Sequence, residues 1–219
     1  MMGPGEGTSL SEANELRRRS WAKEAPGYDK RMGFIERRVL GPTHRSWACS
    51  QTTGKTLEVA IGTGLNLASY PGGVELVGLD LSPEMLELAR QRAEELRRDV
   101  DLRVGDAHAL PFDADTFDAV VCTYSLCNIP DPRSAVGEMK RVLRPGGRLL
   151  LVDHTGSDRR PILWIQKAIE FFSKRTEGEH MTRRSLGHVA AEGFDVVESH
   201  RMGPGRIVER ILALKPSEA

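Results

Sequence analysis

In the stretch Leu57-Glu58-Val59-Ala60-Ile61-Gly62-Thr63-Gly64-Leu65-Asn66, an apolar run carrying one acid breaks into a Gly-Thr-Gly turn. A second apolar run, Leu76 to Leu79, ends on Asp80, sixteen positions after Gly64. Together they read as strand, glycine turn, helix, strand and acidic tip, the first half of a nucleoside-binding α/β unit. Glycines let the backbone approach a ligand, and a carboxylate at a strand tip can accept hydrogen bonds from both hydroxyls of a ribose.

The same rhythm continues downstream. Strands are expected at 56–60, 75–80, 101–105, 117–123 and 148–153, with helices after Gly64, over 82–98 and over 132–143. Ser82-Pro83-Glu84 combines a hydroxyl cap, a first-turn proline and an acid near the positive helix end, and Arg144-Pro145-Gly146-Gly147 is a stop. Upstream, a helix over 10–25 with Ser11 as N-cap ends at Pro26-Gly27, and a second helical stretch starts near Tyr28. Residues 10–50 thus form a cap or lid over the ligand edge of a core at 55–155. Beyond it, Ile162 to Phe172 reads as a largely apolar helix, a substrate wall within 156–182. The segment 183–219 supplies a last helix and a hairpin whose final strand runs antiparallel. After a flexible tail at 1–9, residues 10–219 are expected to form a single domain.

Thirty-one basic residues balance thirty-one acidic ones, so the electrostatic footprint of a nucleic-acid-binding protein is absent, and no nucleic-acid partner is expected. Arg17-Arg18-Arg19, Arg37-Arg38, Arg159-Arg160 and Arg183-Arg184 read as solvated helix faces. Cys49, Cys122 and Cys127 neither pair evenly nor show ligand spacing, which argues for a reducing compartment and against a metal site. No apolar run is long enough to cross a bilayer, so the expectation is a soluble cytoplasmic monomer or homodimer.

Four blocks, Glu58 to Gly64, Gly78 to Leu86, Gly105 to Phe112 and Leu143 to Leu149, together resemble the class I S-adenosylmethionine-dependent methyltransferases, in particular their small-metabolite and lipid branch. The resemblance covers about residues 55 to 155. It implies a Rossmann-like, doubly wound α/β sheet of seven strands, mostly parallel with an antiparallel last strand, beneath an N-terminal helical cap. It also implies S-adenosylmethionine as cofactor, no metal, and a small-molecule methyl acceptor. The family's first motif carries three glycines, and Ala60 stands at the first of those places. With ordinary β dihedrals there, its methyl group would need only a small adjustment.

The resemblance places Gly62, Thr63 and Gly64 around the methionine end of the cofactor, with Gly64 leading into a helix N-terminus. Glu58 is placed near the cofactor amine or holds the loop. Asp80 takes the ribose, Leu81 packs on the adenine, and Asp106 with the Ala107 amide meets its edge. His108 is a rim residue rather than a catalyst, and Tyr28 folds over the cofactor together with Asp29. At the fourth strand's exit the backbone of Thr123 or Tyr124 steadies the sulfonium, and Tyr124 and Asn128 face the acceptor. Cys127 is expected to be packing, with no histidine at a local motif spacing. His154, at the end of the fifth strand, is the candidate general base, needed only for an un-ionised hydroxyl, or else a histidine bonded to its own loop. His180 is a weaker candidate. Trp164, with Trp21, Met32, Phe34, Ile35, Ile165, Ile169 and Phe172, supplies an apolar acceptor wall or simply core.

The implied reaction is in-line transfer of a methyl group to an O, N or S atom of a small, apolar or aromatic metabolite, with a lipid or a quinone as the alternative. A nicotinamide-dependent oxidoreductase is the rival, but Leu67 fills the third glycine place of G-x-G-x-x-G and no Tyr-x-x-x-Lys pair is present. A non-catalytic cofactor-binding regulator is the rival from outside the enzymes.

Overall fold

The computed structural model describes residues 9–176 and 182–217, with the backbone only for 171–176. His180, the Phe172 side chain and the tail up to residue 8 lie outside the described residues.

Among the described residues, seven strands form one sheet in the order β3-β2-β1-β4-β5-β7-β6. They are β1 (Lys55–Val59), β2 (Glu75–Asp80), β3 (Asp101–Val104), β4 (Phe117–Thr123), β5 (Leu143–His154), β6 (Asp195–Met202) and β7 (Val208–Leu214). The first five pair in parallel, and β7 inserts antiparallel between β5 and β6. The chain steps outward from β1 to β3, then returns to the other side of β1 with β4. That reversal opens a crevice at the strands' carboxyl ends.

The strands read as apolar runs because both faces are covered. Along β5, Leu149 and Leu151 pack with α4 (Pro132–Val142) through Val136 and Met139, and with Val189 of α6 (Ser185–Ala191). Leu150 and Val152 point the other way, into the cluster that holds Ala48 and Cys49 of α2 (His44–Cys49) and Leu86 and Ala93 of α3 (Pro83–Leu96). Ser82 caps α3 with Pro83 at its first turn, as its sequence dictates.

Three local expectations fail. The first helix, α1 (Leu10–Ile35), is capped by Ser9 rather than Ser11 and runs straight through Pro26 into a π turn, Glu36–Leu40. An interior proline costs about 3 kcal/mol, but anchors beyond it hold the continuing turn. Tyr28 packs edge-on to Trp21 at 6.0 Å, Thr63 Oγ1 donates to Asp29 at 2.6 Å, and Arg92 pairs with Asp29. No full helix follows Gly64. The segment makes only a 3-10 turn, Leu67–Ser69, before Pro71-Gly72-Gly73 turns the chain into β2, so the helix N-terminus expected for a carboxylate is not built. Ala60 has φ +56°, in the left-handed region, so its methyl group sits where a glycine would be unstrained.

Candidate active site

The crevice at the strand reversal forms a cleft open to solvent at its mouth. Ala60 and Gly62 line it from the turn after β1, Asp80 and Leu81 from the end of β2, and Asp106, Ala107 and His108 from the turn after β3. Tyr124, Asn128, Ile129 and Pro130 contribute from the loop after β4. Helix α1 completes the lining through Asn14, Arg17, Trp21 and Tyr28.

At its centre, Asp80 accepts from the Gly62 amide at 2.8 Å and the Ser82 amide at 2.9 Å. Burial raises its pKa, and these amides oppose the rise. A carboxylate offers about four acceptor positions, so the two amides fix its orientation and leave capacity for a ligand. A Cβ on Gly62, at φ +58°, would meet nothing within 4 Å, so the space a side chain would fill belongs to the cleft.

Asp106 is the hub of a second network. Asn14 donates to its Oδ2 at 2.6 Å, and His108 donates to Oδ1 from its backbone at 2.9 Å and from Nδ1 at 2.6 Å. The Asp131 amide donates to His108 Nε2 at 3.2 Å, so Nδ1 is the nitrogen that carries the proton. Both ring nitrogens of His108 are therefore engaged.

Glu58, Gly64 and Thr123 stand behind the cleft rather than on its wall. Glu58 is fully buried, accepting from Asn66 Nδ2 at 2.7 Å and Tyr70 Oη at 2.8 Å, and burial pushes its pKa up to about 7. Thr123 Oγ1 accepts from Asn66 at 2.9 Å and from Arg45 at 2.9 Å. This buried cluster holds the loop between β1 and β2 against the β4 end. Glu58 thus holds this loop through side-chain hydrogen bonds from Asn66 and Tyr70.

His154 also lies off the cleft wall. Its Nδ1 is 3.4 Å from Cys127 Sγ, and its ring centroid is 5.5 Å from that of Tyr124. Cys127 is buried, as expected, and the histidine beside it comes from the end of β5, 27 positions away, rather than from a local motif. Cys127, Asp153 and His154 bring ligand-type atoms within 4.8 Å of one another. Asp153, however, accepts from the Cys127 and His154 amides, each at 2.7 Å, and so ties the β4 and β5 loops together. Tyr28 is enclosed in the cleft wall, and burial raises its hydroxyl pKa to about 12. Trp164 is 72% exposed on α5 (Arg160–Thr176) and away from the cleft. The acceptor wall expected of it is not built there, because α5 turns Ile162, Leu163, Gln166 and Glu170 inward and leaves Trp164 facing out.

On α1, Asn14 and Arg17 are wall residues that sequence reasoning missed. Positions 14, 17, 21 and 28 follow one helical face, but reading Pro26-Gly27 as a helix stop concealed the repeat.

Comparison with known proteins agrees with this geometry. A family model described as "Methyltransferase domain" matches residues 57–151. A phosphatidylethanolamine N-methyltransferase of Cereibacter sphaeroides is 38% identical over 69% of this chain and 75% of its own length. A demethylmenaquinone methyltransferase of Deinococcus radiodurans is 38% identical over 61% of this chain and 58% of its own. Among solved structures, an S-adenosylmethionine-dependent methyltransferase of Methanosarcina mazei shares the fold, with a TM-score of 0.62, 24% identity, and coverage of 78% of this chain and 96% of that one. The chain belongs to the class I S-adenosylmethionine-dependent methyltransferases, enzymes of the small-molecule and lipid type, and S-adenosylmethionine is its cofactor. No comparison supports the oxidoreductase alternative.

Proposed function

We propose that this enzyme methylates the amine nitrogen of an aminophospholipid-type acceptor. The observation that carries the reading is the chemistry of the cleft wall. Among the described residues the only imidazole lining it is His108, with both nitrogens engaged, and its carboxylates, Asp80 and Asp106, are oriented by amides and by Asn14. An amine, whose ammonium can give its proton to water before reaction, suits a wall without an uncommitted base; a hydroxyl, which is far too weak an acid for that, does not. The phosphatidylethanolamine relative supports the same choice.

The cleft fits the cofactor. The open cradle over Gly62 and the outward capacity of Asp80 suit a nucleoside with a trailing amino acid. In this reading Asp80 takes the ribose hydroxyls, Asp106 and the Ala107 amide meet the adenine edge, and Leu81 packs on its face. Ala60 and Gly62 border the methionine end, and Tyr28 closes over it. When bound, S-adenosylmethionine supplies an electrophilic methyl carbon on a positively charged sulfur that departs as a neutral thioether. The headgroup ammonium gives its proton to solvent before reaction, and Tyr124 and Asn128 would hold the resulting neutral amine in line with that carbon. The amine nitrogen would take the methyl group as the carbon–sulfur pair leaves with sulfur, and the methylated ammonium would then give its proton to solvent. His154 stands one layer behind Tyr124 and orients that loop.

A quinol ring is the second reading, favoured by Trp21 and Tyr28, whose rings pack edge to face on the cleft wall. Incubation with methyl-labelled S-adenosylmethionine and either phosphatidylethanolamine or demethylmenaquinol separates the two. Label in the lipid headgroup is expected. Label in the quinol ring alone would replace the first reading with the second.

A further inference from the structure

Over residues 160–170, helix α5 (Arg160–Thr176) buries polar side chains beside the half-buried Ile162 and Leu163 and leaves its other apolar residues exposed. Its inward residues include Gln166 and Glu170, each 6% exposed. Gln166 accepts from the Ser157 amide at 2.7 Å and donates to the Thr155 carbonyl at 3.1 Å, and Thr182 Oγ1 donates to Glu170 at 2.6 Å. Its outward residues include Trp164, Ile165 and Ile169, at 72%, 61% and 48% exposure. An ordinary surface helix turns such an apolar stripe to the core. At about 100° per residue, Trp164, Ile165, Ala168 and Ile169 share one continuous arc, and Arg160 and Lys167 border it. Both cations are exposed, and between 160 and 170 the only acid, Glu170, faces inward.

We infer that this face docks the enzyme on a bilayer surface bearing anionic lipids. An arc of Trp and Ile edged by Arg and Lys has the chemistry of a helix lying in the headgroup region, with apolar side chains in the acyl boundary and cations beside lipid phosphates. A second copy of the chain fits less well. The three apolar side chains expose on the order of 400 Å², about half of what each partner in a standard interface buries.

The position of the face joins it to the reaction. Thr155 and Ser157, which hold Gln166, follow β5 directly, at the same edge of the sheet as the cleft. Nearby, Arg183 donates to the carbonyl of Ile129, a cleft-wall residue, at 2.8 Å. Docking through α5 therefore brings this edge of the cleft to the lipid surface, which rests on the aminophospholipid reading above.

The test is sedimentation of the full chain with vesicles of phosphatidylcholine, with and without phosphatidylglycerol, neither containing an amine acceptor. Binding is expected only with the anionic lipid and should weaken with salt. Arg160→Ala and Lys167→Ala should each weaken partition about fivefold, the equivalent of about 1 kcal/mol per surface cation. The double variant Ile165→Glu/Ile169→Glu should abolish it while leaving the circular dichroism melt unchanged. Methyl transfer to a short-chain, monomerically dispersed phosphatidylethanolamine should survive in that variant, while transfer to the vesicle-embedded lipid is lost. Wild-type failure to bind anionic vesicles, or undiminished binding by the double glutamate variant, would overturn the docking face. Dimerisation that this variant abolishes, without vesicle binding, would overturn it in favour of a second copy. Transfer to dispersed lipid without vesicle binding refutes docking alone, and vesicle binding without transfer to either lipid refutes the acceptor alone.

Discussion

Glu58→Gln isolates the energetic consequence of burying an acid behind the cofactor turn. Glu58 carries a pKa near 7 against an ordinary 4.5, chiefly because it is fully buried, with Tyr70, Arg45 and Asn66 opposing that cost. A raised folded-state pKa means that the native protein keeps a proton the unfolded chain has released. The associated stability is therefore complete below about pH 4.5, declines between 4.5 and 7, and is gone above 7. At about 1.4 kcal/mol per pH unit, that window amounts to about 3 kcal/mol. Glutamine keeps an acceptor for Asn66 and cannot ionise, so the variant should lose this decline. Urea unfolding of both proteins from pH 4.5 to 8 measures it, as the difference between their stabilities at each pH. Because Glu58 lies off the cleft wall, affinity for S-adenosylmethionine should change by less than about threefold, or about 0.6 kcal/mol. Parallel pH profiles for the two proteins would refute the burial argument. A loss of affinity beyond about thirtyfold would instead restore Glu58 to direct contact with the cofactor.

Ala60→Gly should stabilise the protein by about 0.5–1 kcal/mol, because relief of a left-handed alanine, worth about 1–2 kcal/mol, exceeds the freedom glycine returns to the unfolded chain. A thermal melt should rise by about 2 °C, and a lower midpoint would count against the assigned strain. Asp80→Ala removes the acceptor of the Gly62 and Ser82 amides and the proposed ribose partner. Calorimetric titration should show at least about thirtyfold weaker cofactor binding, and unchanged affinity would remove the residue from the site. His154→Ala should lower kcat for an amine acceptor by less than about tenfold, since the imidazole faces Cys127 rather than the cleft. A loss of about a thousandfold would reinstate it as a base.

Much of the core was legible because its signals are local. Asp80 ends β2 as read, and Ser82-Pro83 starts α3, since a strand tip and a helix cap depend on residues within a few positions of one another. Gly62, Leu81, Asp106 and Ala107 likewise reach one cleft, because parallel strands align their carboxyl ends whatever lies between them. Failures came where distant groups overrode a local rule. Pro26 did not stop α1, because Asp29 is held by Thr63 and Arg92 from the core. Ala60 did not keep β dihedrals, because the turn that delivers the Gly62 amide to Asp80 starts at that position.

The order of short apolar runs, glycine turn and strand-tip acids thus determined the α/β sheet and where a nucleoside-bearing cofactor would lie, since strand period and turn chemistry are properties of adjacent residues. Tertiary structure decided which residues surround that place. Packing placed Asn14 on Asp106, withdrew His154 behind Tyr124, and turned Trp164, Ile165 and Ile169 outward. Each of these depends on which helix face meets the core, and an apolar residue at helical spacing reads the same whether that face is inward or exposed.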